Sequence, residues 1–240
     1  MSLRRNIGEE LRLIQGGRSE VAAEINAELE VPYSRFVQCV FQDILGRTPT
    51  LSAATDWVAQ LCSGASATTL ASCLLHSQEY REKQINENYL KLLGRSPNAD
   101  GLSFWTNLLT SGKKQEEVLA AMVSSSEYFT KNKSTNDGYI RALYIDLIGR
   151  RASEAEVDSW VGLLNSDSAT RLAIAYDFLS GEEYRLSLIT DWFWRYMRRQ
   201  ADPQGIRHWL EQMKAGKTQE AVQAGLVSTK EYFGSSLTRT

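Results

Sequence analysis

Leu93-Gly94-Arg95-Ser96-Pro97, then Gly101-Leu102-Ser103-Phe104-Trp105, then Ser125-Ser126-Glu127-Tyr128-Phe129: this run between Tyr89 and Phe129 decides the fold. Trp105 lies eleven residues after Gly94 and twenty-two before Glu127. Gly46, Trp57 and Glu79 keep both spacings. Gly149, Trp160 and Glu183 keep the first and lengthen the second by one. Near the C-terminus Arg198 stands where the glycine is due, while Trp209 and Glu231 fall on register. A phrase recurring about every fifty residues is the signature of one supersecondary unit repeated in tandem.

Within each unit the apolar residues recur at helical spacing, and no period-two run is long enough for a strand. In the first unit Phe36, Val37, Val40, Phe41 and Ile44 share one helical face, beginning near Pro32. Gly46 ends that helix, because glycine enters the left-handed conformation cheaply past a last turn. Ala54, Trp57, Val58 and Leu61 define a second helix, and Leu70, Leu74 and Leu75 a third. Ser77 then reads as a cap, with Glu79 placed where a helix N-terminus favours an acid. The same grammar returns around Gly94 and Trp105, around Gly149 and Trp160, and around Trp209. Asp100 is expected to cap the helix carrying Trp105.

The expectation is an all-α protein, a tandem array of four three-helix repeats of about 50 residues behind a short N-terminal helical arm. The arm covers residues 1–31, and the repeats cover 32–84, 85–134, 135–188 and 189–240. About fourteen helices, an elongated array, and linkers near 81–86, 131–138 and 187–191 are predicted.

Net charge is −2 over 240 residues, which gives no footprint for bulk nucleic-acid or anionic-membrane binding. No run approaches the eighteen or more apolar residues of a spanning helix. Met1 to Gln15 carries Arg4 and Arg5, then Glu9 and Glu10, with no apolar stretch, so no secretory signal is expected. Cys39, Cys62 and Cys73 all fall in the first unit beside apolar positions and are expected to be reduced core thiols.

Residues that could carry chemistry are few. His76 and His208 stand 132 residues apart, with no cysteine or histidine at ligand spacing from either, so no metal site is expected. The stretch Ser96 to Asn107 has a calcium-loop flavour but ends on asparagine where a bidentate glutamate belongs. No nucleotide-binding or nucleophile-elbow motif occurs, so neither an enzyme nor a cofactor is expected. Trp57, Trp105, Trp160 and Trp209 recur in register and are expected to anchor the unit cores, with Gly46, Gly94 and Gly149 past helix ends. Each unit also offers an arginine after its first helix and a glutamate before a tyrosine. Arg47 with Glu79, Arg95 with Glu127, Arg150 with Glu183 and Arg199 with Glu231 are expected as ion pairs. What the repeats leave over is the arm, with Arg4, Arg5, Leu11, Arg12 and Arg18, and the basic aromatic helix with Trp194, Arg195 and Arg198. Arginine and tryptophan are the residues enriched at interface hot spots, so these are the expected protein-binding residues.

Phe36 to Pro49, with its Ile44-Leu45-Gly46-Arg47, followed by Leu74-Leu75-His76-Ser77-Gln78-Glu79-Tyr80, resembles the helical domain of phycobilisome linker polypeptides. Leu92 to Leu102 with Trp105 is similar to a related bacterial helical repeat found in tandem in surface-layer-like and secreted proteins. The resemblance covers roughly residues 33 to 235 and departs at Arg198 and at Asp167, where other units have glycine. It implies a scaffold that joins phycobiliprotein rings at the cytoplasmic face of a photosynthetic membrane. Its alternative is a surface-associated interaction protein.

Overall fold

The computed structural model describes residues 31–239, and within them every regular element is helical. Helix α1 spans 31–45. It is followed by α2 (Leu51–Cys62), α3 (Ala67–Leu75) and α4 (Gln78–Asn88), which runs straight into a π-helical turn, Tyr89–Leu93. Next come α5 (Ala99–Thr110), α6 (Gln115–Val123), α7 (Ser126–Lys131) and α8 (Asn136–Leu143), the last continued by a π-helical turn at Tyr144–Ile148. The chain ends with α9 (Glu154–Asn165), α10 (Arg171–Ser180), α11 (Glu182–Trp192) with its π-helical turn Phe193–Met197, α12 (Pro203–Lys214), α13 (Gln219–Val227) and α14 (Lys230–Ser236). The chain is an all-helical repeat array.

Local chemistry sets the helix ends. Thr50, Ser66, Ser77, Asn98, Ser125, Ser153, Thr170, Asp202, Thr218 and Thr229 are N-caps whose side chains accept from a backbone N–H in the first turn. Asn98, and not Asp100, therefore caps α5; Asp100 sits in its first turn, where its charge still suits the helix dipole. Gly46, Gly94 and Gly149 end their helices at φ 78°, 72° and 85°. Arg198 takes the equivalent place at φ 56°, a conformation that costs an arginine more than a glycine. Asp167 does the same at φ 53° in the loop where Gly64, Gly112 and Gly216 sit at φ 96°, 94° and 93°. The loop after Asp167 holds one residue more before its N-cap than the loops after those glycines, which accounts for the longer spacing from Trp160 to Glu183.

Two of the three expected linkers are absent. Residues 81–86 lie inside α4 and 187–191 inside α11, so one continuous helix ends one unit and begins the next. The boundaries at 84/85 and 188/189 thus fall within helices, because nothing after Ser77 or Gly181 breaks the backbone bonding. Only 132–135 is a true break, with Lys133 and Ser134 at φ 69° and 53°.

The array is not elongated; it folds back on itself. One core joins the first unit to the fourth, with Phe36, Val40, Ile44, Leu70 and Leu75 packed among Tyr196, Val222, Leu226 and Tyr232. The other joins the second unit to the third, with Tyr89, Leu92, Val118 and Met122 among Tyr139, Leu143, Ile174 and Leu179. Helix α3 packs on α13, and α6 packs on α10. Gln115 donates to Glu220 at 2.6 Å, and Gln219 donates to Glu116 at 3.0 Å. Such reciprocal bonding is the mark of two-fold pairing, realised here between the two halves of one chain.

The cysteines correct another expectation. Cys73 is exposed, and Cys39 and Cys62 are half-buried, so none is a core thiol. Residues three and four apart lie on one helical face, and the α3 core face is Leu70, Ala71, Leu74 and Leu75, from which Cys73 turns away.

Candidate functional site

Each unit contains the same clasp. In the second unit Arg95 Nε and Nη2 donate to the two oxygens of Glu127 at 2.6 and 2.7 Å, and Nη1 donates to the Ser96 carbonyl at 3.2 Å. The guanidinium lies 5.1 Å from the centre of the Tyr89 ring. Arg47 makes the same set with Glu79, the Thr48 carbonyl and Phe41. Arg150 does so with Glu183, the Arg151 carbonyl and Tyr144, and Arg199 with Glu231, the Gln200 carbonyl and Phe193. The fork geometry of arginine matches a carboxylate at two points while its plane covers an aromatic ring. The arginine hydrogen bond is the main reason that Glu79, Glu127 and Glu231 are held below the usual carboxylate range. All four expected ion pairs therefore form, and they fasten the turn after each unit's first helix to the first turn of α4, α7, α11 and α14, the helix that follows the unit's third.

A second layer of contacts joins units to one another. Asp43 is buried, its side chain 1% exposed, on a face of α1 otherwise formed by Phe36, Val37, Val40 and Ile44. It accepts from Arg198 Nη2 at 2.6 Å, Arg239 Nη1 at 2.6 Å and the Tyr232 hydroxyl at 2.8 Å. The other core carries the counterpart, where the Tyr128 hydroxyl of the second unit donates to Asp146 of the third at 2.8 Å. Burial first, and then the aspartate charge, pushes both phenols far above their ordinary range. Tyr80 and Tyr196 both donate to Gln223, at 3.0 and 2.6 Å.

These tyrosines are what the sequence reading overlooked. Tyr80, Tyr128, Tyr184 and Tyr232 follow the clasp glutamate in every unit and are buried. The legible signal was that recurrence, together with single acids, Asp43 and Asp146, three residues before a turn glycine. The tryptophans, expected at the core, are instead half-buried at its margin. Trp57 and Trp209 flank the first core, Trp105 and Trp160 the second. Trp105 and Trp160 donate through Nε1 to the hydroxyls of the buried Tyr89 and Tyr144 at 3.0 and 3.3 Å, which satisfies the polar edge of each indole.

The residues expected to bind partners are divided by the fold. Arg4, Arg5, Leu11, Arg12 and Arg18 lie outside the described residues. Trp194 is 53% exposed. Arg198 turns to Asp43, and Arg195 is half-buried beside a solvent-open cleft of about 220 Å³ lined also by Tyr80, Glu87, Tyr184 and Gln223. The three therefore form no single face. Trp194 has equivalents that periodicity alone did not single out. Leu90 and Ile145, 56% and 50% exposed, stand like it four residues before the turn residue of their unit.

Among the described residues no group of three or more His, Cys, Asp or Glu side chains could hold a metal ion. No helix among them is long and apolar enough to cross a membrane. A family model described as a domain of unknown function, DUF4214, matches the chain three times, over residues 19–84, 81–132 and 126–188. No curated protein and no solved structure gives a significant match. The matched stretches end at residue 188, whereas the clasp geometry continues through Arg199 and Glu231.

Proposed function

The chain belongs to the DUF4214 family, and from its geometry we propose that it is a non-enzymatic linker or scaffold that joins protein subunits. The observation that carries this reading is the exposure of Leu90, Ile145 and Trp194 at one register position of three units. The recurring charged and aromatic side chains bond to one another within the fold. These three apolar residues instead face outward, where a partner surface would remove them from water. In its specific form the proposal is a phycobilisome linker that contacts phycobiliproteins at the cytoplasmic face of a photosynthetic membrane. That form rests on the Leu-Gly-Arg and Ser-x-Glu-Tyr phrases of the first unit.

A second reading, a surface-associated bacterial interaction module, rests on the likeness of Leu92 to Leu102 with Trp105 to the helical repeat of surface-layer-like and secreted proteins. Both readings make the protein a binder rather than a catalyst, and fractionation separates them. A linker co-purifies with blue pigment proteins, whereas a surface module fractionates with the cell envelope. The common proposal is tested by changing Leu90, Ile145 and Trp194 together to lysine. The variant is expected to melt as the parent does and to lose its co-purifying proteins. Recovery of the full set of partners by a folded triple variant refutes it.

A further inference from the structure

The two halves of this chain are bound to each other as two molecules would be, and the joint between them holds two consecutive non-glycine residues at positive φ. The first and second units are held at either end of a continuous helix, α4 with its π-helical turn. The third and fourth units are held likewise by α11 with its π-helical turn. The corresponding helix between the second and third units is broken into α7 and α8. From the clasp glutamate to the turn residue the spacing is fifteen for Glu79 to Gly94 and for Glu183 to Arg198, but twenty-two for Glu127 to Gly149. The excess of seven is about two helical turns at 3.6 residues per turn, so a straightened helix keeps the same faces in register.

The break is held by unfavourable backbone. Lys133 and Ser134 are consecutive non-glycine residues at φ 69° and 53°. Gly138 makes the closure possible: a Cβ placed there would meet the Asn132 carbonyl oxygen at 2.3 Å and the Thr135 hydroxyl at 3.0 Å. In a continuous helix over 126–148, about 34 Å long, neither constraint exists and alanine is preferred to glycine.

We propose that this chain exchanges halves with a second copy of itself, with 132–135 as the hinge. When α7 and α8 straighten, the first and second units of one chain pair with the fourth and third of its partner. Every contact across the halves is remade between chains: α3 with α13, α6 with α10, Gln115 with Glu220, Gln219 with Glu116, Asp43 with Arg198 and Tyr128 with Asp146. No apolar face is left uncovered, and an exchange of this kind closes as a symmetric dimer. The inference is independent of the proposed function, since it concerns only how the halves find each other.

Gly138→Ala tests it, read by light scattering on a size-exclusion column. The substitution obstructs the closed hinge and favours the straight one, so the dimer fraction is expected to rise several-fold over the parent. Lys133→Gly with Ser134→Gly relieves the hinge and is expected to lower it. Exchange is told from ordinary association by Gln115→Cys with Glu220→Cys in a chain carrying Cys73→Ser, set against two controls with one added cysteine each. Oxidised dimer then carries its cross-link between chains, whereas closed monomer carries it within one. A folded Gly138→Ala chain that stays monomeric overturns the proposal. Should that variant fail to fold, the cysteine pair in the parent background decides. Cross-links found only within chains at all concentrations overturn the proposal, and links between chains that grow with concentration support it.

Discussion

Arg198 Nη2 of the fourth unit lies 2.6 Å from Asp43 Oδ1 of the first, across 155 residues of chain. The contact closes the array, and it does so from a residue whose backbone is in the left-handed region. Arg239 and Tyr232 complete the ring of donors around the same carboxylate. A buried carboxylate with three donors is strongly anchored, and removing its charge leaves those donors unpaired.

Asp43→Asn is therefore expected to cost about 2–3 kcal/mol in chemical denaturation. Asp146→Asn should cost less, because among the described residues its carboxylate accepts from the Tyr128 hydroxyl and pairs with no cation. Equal losses at the two positions would show that the arginines contribute nothing to closure.

The clasps predict an acid-sensitive increment of stability. Glu79, Glu127 and Glu231 titrate below their ordinary 4.5 in the folded chain. A lowered carboxylate value contributes stability above about pH 4.5 that is lost as the pH falls through the folded value. Arg47→Gln should lower the urea midpoint at pH 7, by no more than about 1 kcal/mol for so exposed a pair. The deficit of the variant should shrink as the pH falls below about 4.5 and the Glu79 carboxylate takes up its proton. A deficit that persists undiminished in acid would assign the effect to the Phe41 stacking.

Two glycines separate packing from propensity. A Cβ at Gly225 would meet the Trp209 ring at 2.6 Å, and one at Gly162 would meet nothing within 4 Å. Gly225→Ala should destabilise by about 1–3 kcal/mol. Gly162→Ala, within α9, should stabilise by up to about 1 kcal/mol. Melting curves of the two variants check both signs.

Trp105→Ala tests the marginal position of the tryptophans. With the ring half-buried and Nε1 bonded to Tyr89, the loss should be near 2 kcal/mol, below the roughly 3–5 kcal/mol of a fully buried tryptophan. Denaturation midpoints that place the loss in the upper range would return the residue to the core.

The sequence by itself determined what is decided within one unit. The helical period, the cap at Ser77, the left-handed turns at Gly46, Gly94 and Gly149, and all four arginine–glutamate pairs were legible, because each depends on spacings that recur from unit to unit with at most one residue of difference. The tertiary structure alone decided which units share a core, where Arg198 points and why Asp43 is buried. Those outcomes depend on the angle at which helices leave one another, and that angle is set by a few backbone dihedrals, chiefly at Lys133 and Ser134. No residue pattern announces such dihedrals. A helix that runs on through 81–86 and one that breaks at 132–135 carry similarly polar residues. Only packing against a distant unit selects between them, because side-chain burial there outweighs the local backbone cost.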